Sequence, residues 1–233
     1  VGKILVIRGG ALGDFILTLP AIRLLRENLP DNHIEILGYE PITQLAVKAG
    51  LADAARSIEY GAMAGFFIPN GTLAPDLVEY FGSFDLVISY LYDPDEYLKG
   101  NLKKAGVKTL VEGIYKVDDN GAHAAHQLAA TLEQIALFLD DPAPRLIDPI
   151  PPVDKKIIAI HPGSGSPRKN WPLENWTRTA AQLSKEIPST EFLLITGEAE
   201  EEHAEQIASD WRNQSIPFQH AHALPLWTLA EKL

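Results

Sequence analysis

Apolar positions along this chain alternate between short continuous runs and helical spacing. Ile4–Ile7 is an apolar, mostly β-branched run that stops at Arg8-Gly9-Gly10, and after Gly13-Asp14 the positions Ile16, Leu17, Leu19, Ile22, Leu24 and Leu25 follow a helical period. The pattern predicts a strand, a glycine turn and a helix. Pro30, Asp31 and Asn32 break that helix, and His33–Leu37 reads as a second strand ending at Gly38. A right-handed parallel crossover is the expected connection. Further on come a helix around Ile42–Ala49, a short strand at Arg56–Ile58, a helix near Leu73–Tyr80, strands at Leu86–Tyr90 and Thr109–Val111, and helical spacing through Leu128, Leu132, Ile135 and Leu139 over His123–Leu139. Between Tyr60 and Pro75, glycines, Pro69 and Asn70 interleave with Phe66, Phe67 and Ile68, so this loop either lines a site or packs on its own domain.

Asp140-Asp141-Pro142 stops the last of these helices, and Pro144, Pro149, Pro151 and Pro152 then make a proline-dense link. The expected division is a first domain over 1–148, a linker over 149–155 and a second domain over 156–233. Ile157–Ile160 starts a new buried-type strand that runs into His161-Pro162-Gly163-Ser164-Gly165-Ser166. A helix over Leu173–Glu186, a strand over Phe192–Ile195, a Glu-rich helix opened by Gly197 and a third helix at Leu226–Leu233 follow. Two strand-helix units are fewer than a doubly wound sheet normally has, so this half reads as truncated.

Composition narrows the function classes. With 233 residues, 46% hydrophobic and 22% charged, the chain is globular rather than disordered or fibrous. The absence of cysteine excludes disulfides, thiolate metal sites and a cysteine nucleophile. A formal net charge of −11 argues against nucleic acid as a partner. No apolar run approaches the roughly 20 residues of a membrane span or forms a signal segment, so the chain is expected to be cytoplasmic. Lys99, Lys103, Lys104 and Lys108 form either an ordinary solvated face or a basic patch for peripheral contact with an inner membrane.

Two loops carry the candidate chemistry. In the turn holding Gly9, Gly10 and Gly13, glycines let the backbone approach a ligand and the helix start offers free N–H groups. Asp14 reads either as a cap for those amides or as a general base at the carboxyl end of the first strand, acting by position. G-x-G-x-x-G would need glycine where Arg8 stands, which weakens a nicotinamide-dependent reading built on Glu40 as a ribose acid. In the second loop, Ser164 and Ser166 followed by Arg168 and Lys169 suit phosphate oxygens, although the phosphate-loop pattern G-x-x-x-x-G-K-[ST] is absent. Lys169 is otherwise a solvated lysine, and Trp171 with Trp176 otherwise a core pair. Thr196, Gly197 and Glu198 could hold ribose hydroxyls or merely open a helix. Glu200, Glu201 and Glu202 are expected to form a solvated first helical turn. His123 and His126 lack a third metal ligand at a recognisable spacing.

Ile7-Arg8-x3-Leu12-Gly13-Asp14-x3-Thr18-x-Pro20-Ala21 together with His161-Pro162-Gly163-x5-Lys169-x-Trp171-Pro172-x3-Trp176 resembles the ADP-heptose:lipopolysaccharide heptosyltransferases, glycosyltransferase family 9. The resemblance implies a GT-B architecture, two Rossmann-like doubly wound domains facing across a cleft, with the acceptor on the N-terminal domain and the nucleotide-sugar on the C-terminal one. It implies an inverting, metal-independent transferase with no cofactor. In it Asp14 is the base, Lys169 neutralises the diphosphate with Ser164 and Ser166, and Glu198 meets the ribose beside Thr196 and Gly197. Members usually continue through a glycine-rich Asp-Ser/Thr-Gly-x-x-His donor stretch that does not follow Trp227 here. The alternative is therefore a truncated, non-catalytic binding module, with self-association through an unpaired sheet edge.

Overall fold

A strand with four consecutive apolar residues needs cover on both faces, and β1 (Lys3–Arg8) has it, being buried from Ile4 onward. The computed structural model describes residues 1–147, 156–164, 166–197 and 200–233. The chain divides into two units, Val1–Asp148 and Pro149–Leu233. The expected linker over 149–155, Gly165 and Glu198 lie outside the described residues.

In the first unit β1 leads into α1 (Leu12–Asn28), β2 (His33–Gly38), α2 (Glu40–Lys48) and β3 (Ala54–Ser57). A 3-10 helix over Gly61–Phe67, α3 (Pro75–Gly82), β4 (Leu86–Ser89), α4 (Tyr97–Lys104), β5 (Leu110–Glu112) and α5 (Ala124–Ala129) follow. The sheet is wholly parallel in the order β3-β2-β1-β4-β5. Chain order reverses between β1 and β4, which makes the carboxyl ends of these two strands the switch point where open α/β sheets bind ligands. Leu5 and Ile7 pack with Phe66, Leu77, Phe81, Leu98 and Leu102 on one face. Alternation sends Ile4 and Val6 to the other.

The second unit contains β6 (Lys156–Ile160), α6 (Leu173–Glu186), β7 (Thr190–Thr196), α7 (Glu201–Asn213), β8 (Phe218–His222) and α8 (Leu226–Ala230). Its sheet is parallel and sequential, β6-β7-β8, so among the described residues it winds in one direction only. Ile160, Phe192 and Leu194 bury against Ala180, Ile207, Ala208 and Trp211. The Trp211 indole N–H donates to the Thr177 hydroxyl at 3.2 Å, which satisfies the polar atom of the largest buried side chain.

Several expectations change. The helix expected over His123–Leu139 is instead the short α5 followed by a 3-10 helix over Ala130–Ile135, closed by Ala136 at φ 61°. Leu128 and Leu132 are buried, whereas Phe138 is exposed, so the apolar spacing outlasts the helix. The Phe66 loop packs on its own unit: the Asn101 side-chain amide donates to the carbonyls of Phe66 and Ile68 at 3.1 and 3.0 Å. The Leu226–Leu233 helix ends at Ala230. Strand β8 and helix α4 have no counterpart in the sequence reading. The alternation of Phe218 with polar residues hides the first, and the single exposed turn-rich segment Asp93–Asp95 hides the start of the second.

Candidate functional site

The loop after β1 is shaped by a buried arginine. Arg8 closes the strand at 6% exposure, and its guanidinium donates to the backbone carbonyls of Asp14 at 3.3 Å and Tyr90 at 3.5 Å. It lies 3.8 Å from the Asp14 carboxylate and 5.8 Å from the Tyr90 ring centroid. Burial lowers the Arg8 pKa, and the nearby Asp14 carboxylate opposes that shift. The Tyr90 hydroxyl, pushed up mainly by its own burial, donates to the Leu128 carbonyl at 3.2 Å.

Asp14 is the third residue of α1, not its cap, which is Ala11. One carboxylate oxygen accepts from the Ala11 N–H at 3.1 Å, while the side chain as a whole remains 54% exposed. Ala11 has no side-chain acceptor to return, so only half of a capping box forms. Anchoring the helix start and presenting an oxygen to a ligand are therefore compatible roles. Gly10 sits at φ +94°, where a Cβ would lie 2.8 Å from that same carboxylate. Gly9 abuts Leu91, and Gly13 has open space around it.

The second loop, after β6, is tied within itself. The Ser164 hydroxyl lies 2.8 Å from the Ser166 carbonyl and 2.7 Å from the Asn170 side-chain amide, and it accepts from the Ser166 N–H at 3.2 Å. The Lys169 N–H donates to the Ser166 carbonyl at 2.9 Å in a 3-10 turn over Pro167–Lys169, leaving Arg168, Lys169 and Asn170 exposed. Trp171 stands out at 46% exposure, edge-on to Trp176 with centroids 5.1 Å apart, so the two rings are not a core pair. Trp171 follows an exposed turn and precedes the start of α6 at Leu173, which leaves only Trp176 on the helix to pack inward.

Glu201 opens α7 exposed, as expected of a solvated first turn, but Glu200 just before it departs from that expectation. It is 6% exposed, accepts from the Gly197 N–H at 2.8 Å, and lies 3.9 Å from His161 Nδ1. His161 Nδ1–H itself donates to the Ile195 carbonyl at 3.0 Å. The other Glu200 oxygen is buried without a hydrogen-bond partner, pressed against Gly163, where any Cβ would collide with it. Thr196 is also buried, its hydroxyl 2.8 Å from His220 Nε2 and 2.9 Å from His222 Nδ1. Burial, then the neighbouring His222, lowers the His220 pKa, against the pull of Glu205.

The structure thus gathers Gly9, Gly10, Gly13 and Asp14 around one loop. It gathers Ser164, Ser166 and Lys169 around another, and places Thr196 and Gly197 at the end of β7. Glu40 is the exposed first residue of α2. Lys99 is no free patch residue, because its ammonium lies 2.7 Å from Glu96 and 2.9 Å from Glu112, and Lys104 is 3.2 Å from Asn101. His123 caps α5, its ring nitrogen accepting from the Ala125 N–H at 3.3 Å. Among the described residues no group of three or more metal-ligating side chains occurs, and no helix is long and apolar enough to cross a membrane. The sequence reading missed Glu200 and the exposed Tyr92 and Tyr115. Their shared signal was position, since each follows a strand's carboxyl end.

No protein-family model and no curated protein matches the sequence. Solved structures do match. A family 9 glycosyltransferase from Veillonella parvula DSM 2008 superposes with a TM-score of 0.67 at 17% identity, over 99% of this chain and 72% of that one. E. coli heptosyltransferase WaaC with ADP gives 0.71 at 13%, over 99% and 77%. E. coli ADP-heptose lipopolysaccharide heptosyltransferase II gives 0.67 at 16%, over 96% and 74%. The resemblance carried by the two loop motifs and the likeness of the backbone arrive at the same place: this chain has the α/β fold of the GT-B heptosyltransferases of glycosyltransferase family 9.

Proposed function

We propose that the protein is an inverting, metal-independent glycosyltransferase that moves heptose or a related sugar from an ADP-sugar to a lipopolysaccharide core or related glycan. The observation that carries this reading is Asp14. At the switch point of the first sheet, it offers an exposed carboxylate whose other oxygen is anchored by the Ala11 N–H. In the reaction an acceptor hydroxyl attacks the anomeric carbon of the donor from the face opposite the leaving group. The bond from that carbon to the diphosphate oxygen breaks, and the hydroxyl proton passes to Asp14. The electron pair departs with ADP. Lys169 meets the developing charge on the diphosphate from its exposed turn, next to a Ser164–Ser166 loop already held by its own hydrogen bonds. Such pre-ordering spares reorganisation when the charge develops.

The Thr196 hydroxyl and the Gly197 N–H are engaged within the unit, so we assign them to shaping the donor loop. Glu198 remains the proposed ribose contact. Support for an adenine nucleotide comes from the fold shared with a heptosyltransferase whose structure is solved with ADP. With a lipid-linked acceptor, the protein would work at the cytoplasmic face of the inner membrane.

Calorimetric titration of the chain with ADP and ADP-heptose, beside Lys169→Ala, tests the donor assignment. The expected result is saturable binding that weakens about 10- to 100-fold in the variant, the loss typical of a charge-assisted contact. A folded chain that binds neither nucleotide, or a variant that binds as well as the parent, would overturn it and leave a binding module.

A further inference from the structure

The first unit holds a cavity that the proposed chemistry does not use. It measures about 190 Å³ and lies between the segments that follow β4 and β5, with Leu91, Tyr92, Asp93, Lys99, Glu112 and Tyr115 in its lining. Pockets that hold drug-sized ligands measure roughly 300–1,000 Å³, so this smaller space fits one ring rather than a nucleotide.

Its location follows from the sheet. β1 and β4 are paired in parallel with Ile7 opposite Ser89, and the Tyr90 N–H donates to the Ile7 carbonyl at 2.9 Å. The two chains therefore leave the sheet side by side, one into the Asp14 loop and the other into the pocket wall. Leu91 joins them, because a Cβ on Gly9 would stand 3.1 Å from its side chain.

The lining has a definite chemistry. Tyr92 and Tyr115 are 61% and 52% exposed, yet their rings lie against each other with centroids 4.3 Å apart at 46°. Two large aromatic side chains held in solvent beside a switch point are a recognition surface in search of an apolar face with a polar edge. In the same lining stand two carboxylates, Asp93 and Glu112, against one ammonium, Lys99. That ammonium is spanned by Glu96 and Glu112, whose hydrogen bonds hold its pKa above the ordinary lysine value. Asp93 accepts from the Leu98 and Lys99 N–H groups at 3.1 and 2.9 Å, which fixes the α4 end of the wall. With its cation occupied and carboxylates in excess, the rim repels phosphate and carboxylate groups and accepts hydrogen bonds from hydroxyls.

We infer that the Tyr92–Tyr115 pocket is the subsite for an uncharged sugar ring of the acceptor, an inference that rests on the glycosyltransferase reading above. The C–H face of a pyranose covers the tyrosine rings and its hydroxyls donate to the carboxylate rim. The acceptor selected at this point carries neither phosphate nor carboxylate on the ring that enters.

The test is direct binding to the full chain, followed by NMR at low salt with no donor present. The probes are methyl β-D-glucopyranoside and methyl α-D-mannopyranoside, set against glucuronic acid, glucose 6-phosphate and AMP. Saturable shifts with a methyl glycoside are expected. Binding should weaken about fivefold in each of Tyr92→Ala and Tyr115→Ala, while Tyr115→Phe retains it, with folding checked by circular dichroism. The anionic sugars should bind about tenfold more weakly, with the gap narrowing in Glu112→Gln and at high salt. No saturable glycoside binding, binding that survives both alanine variants, or tighter binding of an anion would each overturn the proposal. Because these readouts need no transfer, glycoside binding without any ADP binding would sink the glycosyltransferase reading and leave the sugar subsite standing.

Discussion

The loops after β1 and β6 grow from the same local plan and present opposite charges. Each follows a parallel strand, contains glycines and precedes a long helix. In the first, the cation Arg8 is buried beneath the loop and the anion Asp14 is exposed above it. In the second, the anion Glu200 is buried beneath and the cations Arg168 and Lys169 are exposed above. The burial of a charge under a strand-helix loop is tolerated only with backbone partners, and both buried groups have them. One architecture thus exposes a carboxylate in one unit and cations in the other, by choosing which sign goes inside.

The largest effect that could break this comparison is on transfer. Asp14→Asn should lower the rate about a hundredfold to ten-thousandfold, the range for removing a general base, with ADP affinity unchanged. A rate within tenfold of the parent would return Asp14 to a purely structural role. Stability comes next. Gly163→Ala should destabilise the second unit by about 2–3 kcal/mol in urea melts, since its Cβ has no room beside Glu200. Gly13→Ala, with open space and a helical position, should instead gain about 0.5–1 kcal/mol. Equal responses at the two glycines would show that the loops are not packed as described.

Removing the buried cation is a milder intervention. Arg8→Met strips donors from two carbonyls and should cost about 1–3 kcal/mol. It should also slow transfer about tenfold, through a displaced Asp14, without altering ADP binding. A variant that is destabilised but transfers normally would separate Arg8 from the chemistry.

The smallest effect is in pH dependence, and it also sorts the units. His220 is held below its ordinary 6.5, chiefly by burial, so the unfolded chain binds the proton first. Its contribution is complete above about pH 6.5 and declines as pH falls below that. Asp53 in the first unit is the reverse kind of group. Burial works against its charge, but the hydrogen bonds from Arg26 at 2.6 Å and the Ile34 N–H at 2.7 Å prevail and hold it below 3.8. Its contribution persists until the pH falls below about 3.8. Acidification from about pH 7.5 to 5 should therefore speed amide exchange in β7 and β8 before β1 and β2, and His220→Gln should remove the difference that His220 causes.

Much of this was legible beforehand, and the physical reason is periodicity. A run such as Ile4–Ile7 reads as a buried parallel strand and is one, and the helix over Leu173–Glu186 follows from its spacing between Pro172 and Pro188. Ile157–Ile160 forms the expected parallel strand but not a buried one: among the described residues it ends the β6-β7-β8 order, so Ile157 is 44% exposed and only Ile160 is buried. Strand β8 was not legible, because a strand whose side chains read Phe, Gln, His, Ala, His carries no apolar alternation strong enough to declare it. The candidate residues were legible where loops follow such strands, as at Asp14 and Lys169.

The sequence by itself determined the α/β class, the parallel strand-helix order and the two loops that carry charge, since these depend on local pattern and short-range sterics. Only the tertiary structure decided which charges are inside. Whether Glu200 is solvated or pressed onto Gly163, whether Lys99 is free or spanned by two carboxylates, and whether Tyr92 meets Tyr115 all depend on segments brought together by the sheet order. No local pattern encodes that order, because it arises from how strands distant in the chain bury one another's faces.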